Sequence, residues 1–93
     1  MKNQFSIVRT DRAGVFYGIV KENKGTSIVM QNVRKIHYWD GAAAVEQIAV
    51  DGVNQSSRLT VKIPEMEIAA PIQIIPCTEK AVEVLNSIPE WKK

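Results

Sequence analysis

Residues 32–43 concentrate more chemically capable side chains than any other stretch of this chain. Positions 34–39 hold two cations, the only histidine, one of the two tyrosines and one of the two tryptophans. Cations can bind phosphate groups, and aromatic faces can stack on nucleobases. The composition therefore indicates recognition of a flat, negatively charged ligand rather than catalysis.

His37 lacks the companions that catalysis or metal binding requires. A general base needs a group that orients it, and a zinc site needs three or four ligands. His37 is the only histidine and Cys77 the only thiol in the sequence. We therefore expect no enzyme activity, no metal and no cofactor, and we assign His37 a structural or ligand-contacting role.

Two further basic spots could contribute to a binding site. Arg9 opens a turn-rich segment whose Gly14 would allow a ligand to approach closely, although no phosphate-loop pattern follows. Ser57 and Arg58 end a hydroxyl-rich loop, and such a loop can hold a phosphate group. Each spot is also compatible with an ordinary solvated loop.

Length and charge limit the classes of function. The chain has 93 residues, of which 45% are hydrophobic and 24% charged, so we expect one globular domain over residues 1–93. A formal net charge of +2 is too weak to indicate a general nucleic-acid binder. The single cysteine excludes an internal disulfide. No apolar run has membrane-spanning length and no signal peptide is recognisable, which predicts a cytoplasmic protein that does not bind membranes.

A β-meander is the first element predicted to position the candidate residues. Apolar residues alternate through three segments, and glycine-containing turns separate them. These strands are predicted at residues 5–10, 15–22 and 26–33, and the third either continues through residues 34–39 with a bulge or is followed there by a fourth strand.

Helices and shorter strands are predicted to complete an α+β fold. Asp40 is expected to be the N-cap of a helix over residues 41–50, and Thr78 the N-cap of a terminal helix over 79–86. Further strands are predicted at 59–63 and 67–75, separated by Pro64. The fold class is thus a small antiparallel β-sheet with one central helix and a short C-terminal helix.

Strand alternation divides the aromatic and basic run into two faces. The faces are Arg34, Ile36 and Tyr38 on one side and Lys35, His37 and Trp39 on the other. One interpretation places Ile36 and either Tyr38 or Trp39 in the core, with the cations along a solvated edge. The other makes the run a stacking platform flanked by cations. Both interpretations are true together if one face of the strand packs in the core while the other contacts a ligand.

Five segments of the chain resemble a small phage-encoded family whose members have about this length. The segments are residues 7–10 (Ile-Val-Arg-Thr), 13–15 (Ala-Gly-Val), 32–43, 72–79 (Ile-Gln-Ile-Ile-Pro-Cys-Thr-Glu) and 88–91 (Ile-Pro-Glu-Trp). The resemblance covers nearly the whole chain. It extends to the anti-CBASS sponges, viral proteins that bind cyclic dinucleotide alarm signals and keep them from host effectors.

This resemblance implies a protein that sequesters a cyclic dinucleotide, or a related small nucleotide, without cleaving it, in the cytoplasm of the phage host. Such sponges resemble symmetric oligomers, so we expect a dimer or tetramer. By residue type, arginines would contact phosphates and aromatic rings would stack on bases. The expected ligand-binding residues are Arg9, Tyr17, Arg34, Tyr38, Trp39, Ser57 and Arg58.

Two other classes of function remain open. The chain could be a protein–protein interaction module or phage assembly factor without a nucleotide ligand, using Trp91 as part of a docking patch. It could also bind nucleic acid through Arg34, Lys35 and the neighbouring aromatics. The low net charge makes nucleic-acid binding the least favoured of the three.

Overall fold

Antiparallel strands dominate the structure, a computed structural model that describes residues 4–93. About 48% of the chain is strand and 18% helix. The elements are β1 (Phe5–Thr10), β2 (Val15–Asn23), β3 (Ser27–Tyr38), α1 (Val45–Asp51), β4 (Arg58–Leu59), β5 (Ile63–Ala69), β6 (Pro71–Pro76) and α2 (Glu79–Ser87). The predicted meander of the first three strands and both predicted helices are present.

The meander is closed by a strand that is kinked at Ala70. The sheet order is β4-β3-β2-β1-β6, and β5 also pairs with β3. Only Ala70, at φ 55°, separates β5 from β6. Its N–H donates to the carbonyl of Thr26 at 2.9 Å, and its carbonyl accepts from the N–H of Asp11 at 3.0 Å. The sheet therefore closes on itself in a barrel-like arrangement.

Two hydrophobic clusters occupy opposite faces of the sheet. The interior cluster is Val8, Phe16, Ile28, Met30, Val33 and Ile68. The other cluster lies beneath the two helices and includes Ile7, Tyr17, Ile36, Ile48, Leu59 and Leu85. Adjacent residues such as Ile7 and Val8 belong to different clusters, as the alternation of a strand covered on both faces requires.

A bulge in β3 decides which side chains of the aromatic and basic run face the helices. Tyr17 pairs with Arg34 and Ile19 with Gln31, so Gly18 lies opposite two residues, one of which is Asn32 at φ 50°. The extra residue shifts the alternation, because a shift of one position moves the following side chains to the other face. Arg34 therefore lies on the helix side instead of inside the barrel.

The predicted start of the central helix is wrong. The helix begins at Val45, and its N-cap, Ala44, makes no side-chain capping bond. Asp40 is instead tied to the loop before β4, where its N–H donates to the Ser57 hydroxyl at 2.9 Å and its carbonyl accepts from Asn54 at 2.8 Å. The positive φ of Gly41, 93°, separates Asp40 from the helix.

Two other expectations about local structure have opposite outcomes. Pro64 does not separate strands, because it lies within β5. Among residues 4–93, β5 pairs with β3 on one side alone, so it can accommodate a residue without an N–H. The terminal helix is confirmed, since the Thr78 side chain accepts from the Ala81 N–H at 3.1 Å as its N-cap. Among residues 4–93, no helix is long and apolar enough to cross a membrane.

Candidate functional site

Arg34, expected to bind phosphate, is buried and serves the fold. Its side chain is 1% exposed. The guanidinium donates to four backbone carbonyls: Thr60 at 3.0 Å, Leu85 at 3.0 Å, Pro89 at 3.1 Å and Leu59 at 3.4 Å. At most one of its five N–H groups is left, so it cannot grip a phosphate through two parallel hydrogen bonds. The prediction of Arg34 as a direct phosphate ligand is wrong.

The carbonyls around Arg34 explain why a cation is tolerated in the interior. Leu85 lies in the last turn of α2, where backbone carbonyls carry partial negative charge, and its carbonyl also accepts from the Ile88 N–H at 3.4 Å. Burial lowers the pKa of Arg34, while the charge of Glu90 acts in the opposite direction. Arginine nevertheless remains protonated in proteins. Arg34 thus ties β3 to β4 and to the segment that follows α2.

Tyr17 is also part of the core and is unavailable for stacking on a ligand. It is 1% exposed, and its ring already stacks on Phe5 with centroids 5.0 Å apart. The hydroxyl donates to the Asn86 side-chain oxygen at 2.9 Å. Burial, with a smaller contribution from Cys77, raises the pKa of Tyr17 well above its usual value. The assignment of Tyr17 to a ligand is a second correction.

Ser57 and Trp39 are engaged within the protein. The buried Ser57 hydroxyl accepts from the Asp40 N–H at 2.9 Å. Trp39 packs against the helix-side core, and its indole N–H donates to the Ala42 carbonyl at 3.3 Å. Both groups hold the loop between β3 and β4. The burial of Ser57 argues against direct contact with a ligand, whereas a ligand contact by the half-buried Trp39 ring stays a prediction.

Arg9 is exposed but belongs to a different part of the surface. It pairs across β1 and β6 with Gln73, whose side chain donates to the Glu46 carboxylate at 3.0 Å. The hydrogen bond from Gln73, together with a smaller effect of the Arg9 charge, lowers the pKa of Glu46. Strand β2 lies between β1 and β3, so Arg9 does not join the aromatic run.

Tyr38 and Arg58 are the two expected residues that the structure brings together on the surface. They face each other where β3 pairs with β4. The Arg58 guanidinium carbon lies 6.0 Å from the Tyr38 ring centroid and 5.6 Å from that of Trp91. The His37 ring stacks on Trp91 with a centroid distance of 4.5 Å and an interplanar angle of 19°. We call His37, Tyr38, Arg58 and Trp91 the Arg58 platform.

The Arg58 platform is open to solvent and has hydrogen-bonding capacity to spare. Tyr38 is 50% exposed and Trp91 42% exposed. A shallow cavity of about 410 Å³ is lined by His37, Tyr38 and Arg58. Within residues 4–93, no side-chain hydrogen bond or ion pair engages Arg58. Its guanidinium can therefore donate to an anion while its face remains against the rings.

Backbone pairing brings the distant Trp91 to this surface. Leu59 forms a parallel bridge with Glu90, and its carbonyl accepts from the Trp91 N–H at 2.9 Å. Sequence reasoning identified His37 as a possible ligand contact and Trp91 as a docking residue, but in separate hypotheses. No periodic pattern links positions 37 and 91, so their stacking had no signal in the sequence.

The remaining reactive groups do not form a recognisable reaction centre. Cys77 is buried, and burial raises the pKa of its thiol to about 11, so the thiolate is scarce at neutral pH. No group of three or more histidine, cysteine or acidic side chains placed to hold a metal occurs in residues 4–93.

The chain belongs to the DUF6948 family, a domain of unknown function whose family model matches residues 3–85. That match includes His37, Tyr38 and Arg58, whereas Trp91 lies outside it. Searches of curated proteins and of solved structures returned no match. The family assignment therefore gives no information about the activity of this protein.

Proposed function

We propose that this protein binds a cyclic dinucleotide on the Arg58 platform and sequesters it without cleaving it. The observation that carries the proposal is the placement of the Arg58 guanidinium against the rings of Tyr38 and Trp91. A phosphate can accept hydrogen bonds from the guanidinium while a base stacks on an exposed ring. Of the seven expected ligand residues, Tyr38 and Arg58 remain in this proposal, joined by His37 and Trp91.

A second copy of the chain completes the proposed site. A cyclic dinucleotide has two phosphates and two bases, whereas one platform presents one guanidinium that is free of hydrogen bonds within residues 4–93. Two platforms related by a two-fold axis would match the symmetry of the ligand. The proposed assembly is a dimer or tetramer, and the proposed setting is immune evasion by a phage in its host's cytoplasm.

A thermal-shift and calorimetric titration tests this function. Purified protein is titrated with cyclic di-AMP, cyclic GMP–AMP, AMP and a short single-stranded DNA. A ligand that binds only the folded state must raise the melting temperature. We expect a shift with a cyclic dinucleotide and recovery of the intact ligand after heat denaturation. Recovery of a linear product would indicate an enzyme, and absence of any shift would refute nucleotide binding.

Matched arginine variants locate the binding surface. Arg58→Gln removes the platform cation, while Arg12→Gln removes an arginine in the exposed turn between β1 and β2, where its only ion pair in residues 4–93 is with Asp11. Losing a charge-assisted contact should weaken cyclic dinucleotide binding roughly tenfold or more in Arg58→Gln. Arg12→Gln should bind like the original protein. Equal effects of the two substitutions would place the ligand elsewhere.

The composition of the platform also favours a second candidate, a docking surface for another protein. Trp, Tyr and Arg are the residues most enriched at the energetic centres of protein interfaces, and the platform presents one of each. Under this alternative, Arg58→Gln and Trp91→Ala abolish capture of a protein partner. Neither cyclic dinucleotide then changes the melting temperature.

A further inference from the structure

A second cavity, separate from the Arg58 platform, lies between β3 and the end of α2. It has a volume of about 310 Å³, which is at the lower end of the roughly 300–1,000 Å³ typical of small-molecule pockets. Its lining residues are Phe5, Asn32, Arg34, Lys62 and Asn86. None of them belongs to the Arg58 platform.

The lining side chains are donors and cations. Arg34 and Lys62 carry positive charge, and Asn32 and Asn86 carry amide N–H groups. Among residues 4–93, no carboxylate lines the cavity. The carboxylate of Glu90 accepts from the backbone N–H of Lys62 at 3.0 Å.

The charge of Arg34 is not matched by an ion pair. Carbonyl dipoles surround the guanidinium, and no ion pair within residues 4–93 includes it. The charge of Glu90 acts on Arg34 without a direct ion pair, so an anion at the edge of this cavity would add to the stabilisation of the guanidinium. One N–H on Nη1 is not accounted for by the four hydrogen bonds to carbonyls.

Two other lining residues are held in place by the core. The Asn86 side-chain oxygen accepts from Tyr17, which leaves the amide NH₂ of Asn86 free to donate. Phe5 is fixed by stacking on the same tyrosine. The cavity thus has a fixed amide donor in Asn86, a fixed ring wall in Phe5 and an exposed cation in Lys62.

We propose that this cavity binds a small oxyanion, with Lys62 and the Asn32 and Asn86 amides as direct donors and Arg34 as the charge behind them. A phosphate group and a carboxylate share this chemistry, and the ring of Phe5 allows the anion to carry a flat apolar substituent. The inference goes beyond the proposed function because the two sites share no residue.

Titrations of the full chain with inorganic phosphate, AMP and acetate, followed by NMR, test the proposal. Saturable shifts of the Asn32 and Asn86 side-chain amides are expected with at least one of these anions. Strongest binding of AMP would identify a nucleotide monophosphate, and strongest binding of acetate a carboxylate ligand. Absence of saturation with all three would overturn the proposal.

Three variants separate this site from the rest of the surface. Lys62→Gln and Asn86→Asp should each weaken anion binding roughly tenfold, because the first removes a charge-assisted donor and the second adds a repelling charge. Asn86→Asp keeps an oxygen for the Tyr17 hydroxyl, so the fold should survive. Lys21→Gln, which removes a cation paired with Glu65 at 3.1 Å on another part of the sheet, should bind normally. Unchanged binding in both cavity variants would refute the site.

The two proposals fail independently of each other. Arg58→Gln should leave anion binding in the cavity unchanged, and Lys62→Gln should leave cyclic dinucleotide binding unchanged. If Arg58→Gln abolished both, the anion would be bound at the platform and the cavity would be excluded as a separate site.

Discussion

Arg34 and Arg58 show how differently one residue type can be used in neighbouring parts of a small protein. Both contribute to the same pair of strands, where β3 meets β4. Arg34 is surrounded by four backbone carbonyls and is almost fully buried. Arg58 is exposed and lies against two aromatic rings, with no side-chain hydrogen bond within residues 4–93.

The difference between the two arginines follows from the groups that surround each guanidinium. A guanidinium has five donors in a rigid fork, so several carbonyls at the ends of strands and helices can satisfy it completely. Aromatic faces attract the same cation without occupying its donors. Arg34 therefore contributes mainly to stability, and Arg58 keeps its donors available for a ligand.

The largest expected effect is on stability in Arg34→Met. The carbonyls of Thr60 and Pro89 lose their donor in this variant, and unsatisfied polar groups cost about 1–3 kcal/mol each. The carbonyls of Leu59 and Leu85 each keep a backbone N–H donor, from Trp91 and Ile88. Allowing for relaxation, we expect a loss of about 3–5 kcal/mol, which is a large share of the stability of a typical domain. Urea denaturation followed by circular dichroism measures it.

Arg34→Lys sharpens the comparison, because it keeps the charge but offers only three donors from a single nitrogen. It should be destabilised by less than Arg34→Met but more than any platform variant. Unfolding curves for both that overlay the original protein would show that the carbonyl contacts are unimportant.

The next largest effect is expected for Gly18→Ala, which tests the bulge that places Arg34. A Cβ atom at this position would lie 2.9 Å from the Val33 Cα and 3.0 Å from the Gln31 carbonyl oxygen. Forcing backbone apart in this way should cost about 1–3 kcal/mol. Hydrogen exchange should accelerate in the 31–34 segment, whereas the Arg58 platform should still bind its ligand. Unchanged protection of these amides would contradict the account of the bulge.

A moderate loss of stability is expected at alkaline pH, caused by the buried side chains of Tyr17 and Cys77. Tyr17 and Cys77 have raised pKa values in the folded protein, so above about pH 9 the unfolded chain releases protons that the folded chain retains. The free energy of unfolding should therefore be unaffected by these groups below pH 8 and should decrease as pH rises from 9 to 11.

Denaturation at a series of pH values measures this slope. Tyr17→Phe and Cys77→Ala should each reduce it, and the double variant should show the flattest profile. A slope that persists in the double variant would mean that other groups cause the alkaline loss of stability.

The smallest stability effect is expected in Arg58→Gln. An exposed cation–π contact contributes about 0.5–1 kcal/mol, so the urea midpoint should change little while ligand binding is lost. A loss of stability as large as that of Arg34→Met would show that the two arginines are not functionally different. Circular dichroism on both variants under the same conditions makes the comparison direct.

Local sequence signals predicted much of the fold. Alternating apolar residues located the meander, and Thr78 marked the start of the terminal helix because a hydroxyl cap is a local interaction. Asp40 misled the same reasoning, because its backbone is engaged by Ser57 and Asn54 from a distant loop. Rules for helix capping consider only neighbouring residues, so they cannot predict these contacts with a distant loop.

The candidate site was less predictable from the sequence. Simple alternation could not show that Asn32 forms a bulge, which decides the side on which Arg34 lies. The carbonyls that occupy Arg34 and the ring that stacks on His37 come from residues 59–91. Composition named Tyr38 and Arg58 among seven expected ligand residues but gave no sign that these two lie together. Burial of Tyr17 and Arg34 depends on long-range packing that composition does not encode.

The wide sequence spacing of the Arg34 acceptors has a consequence for synthesis of the chain. The ribosome makes Arg34 early, Leu59 and Thr60 later, and Pro89 last among its partners. A nascent chain that ends before residue 89 cannot complete the interior around this cation, although its three meander strands have already been made. Folding around this cation therefore cannot be completed until the segment after α2 can reach the earlier strands.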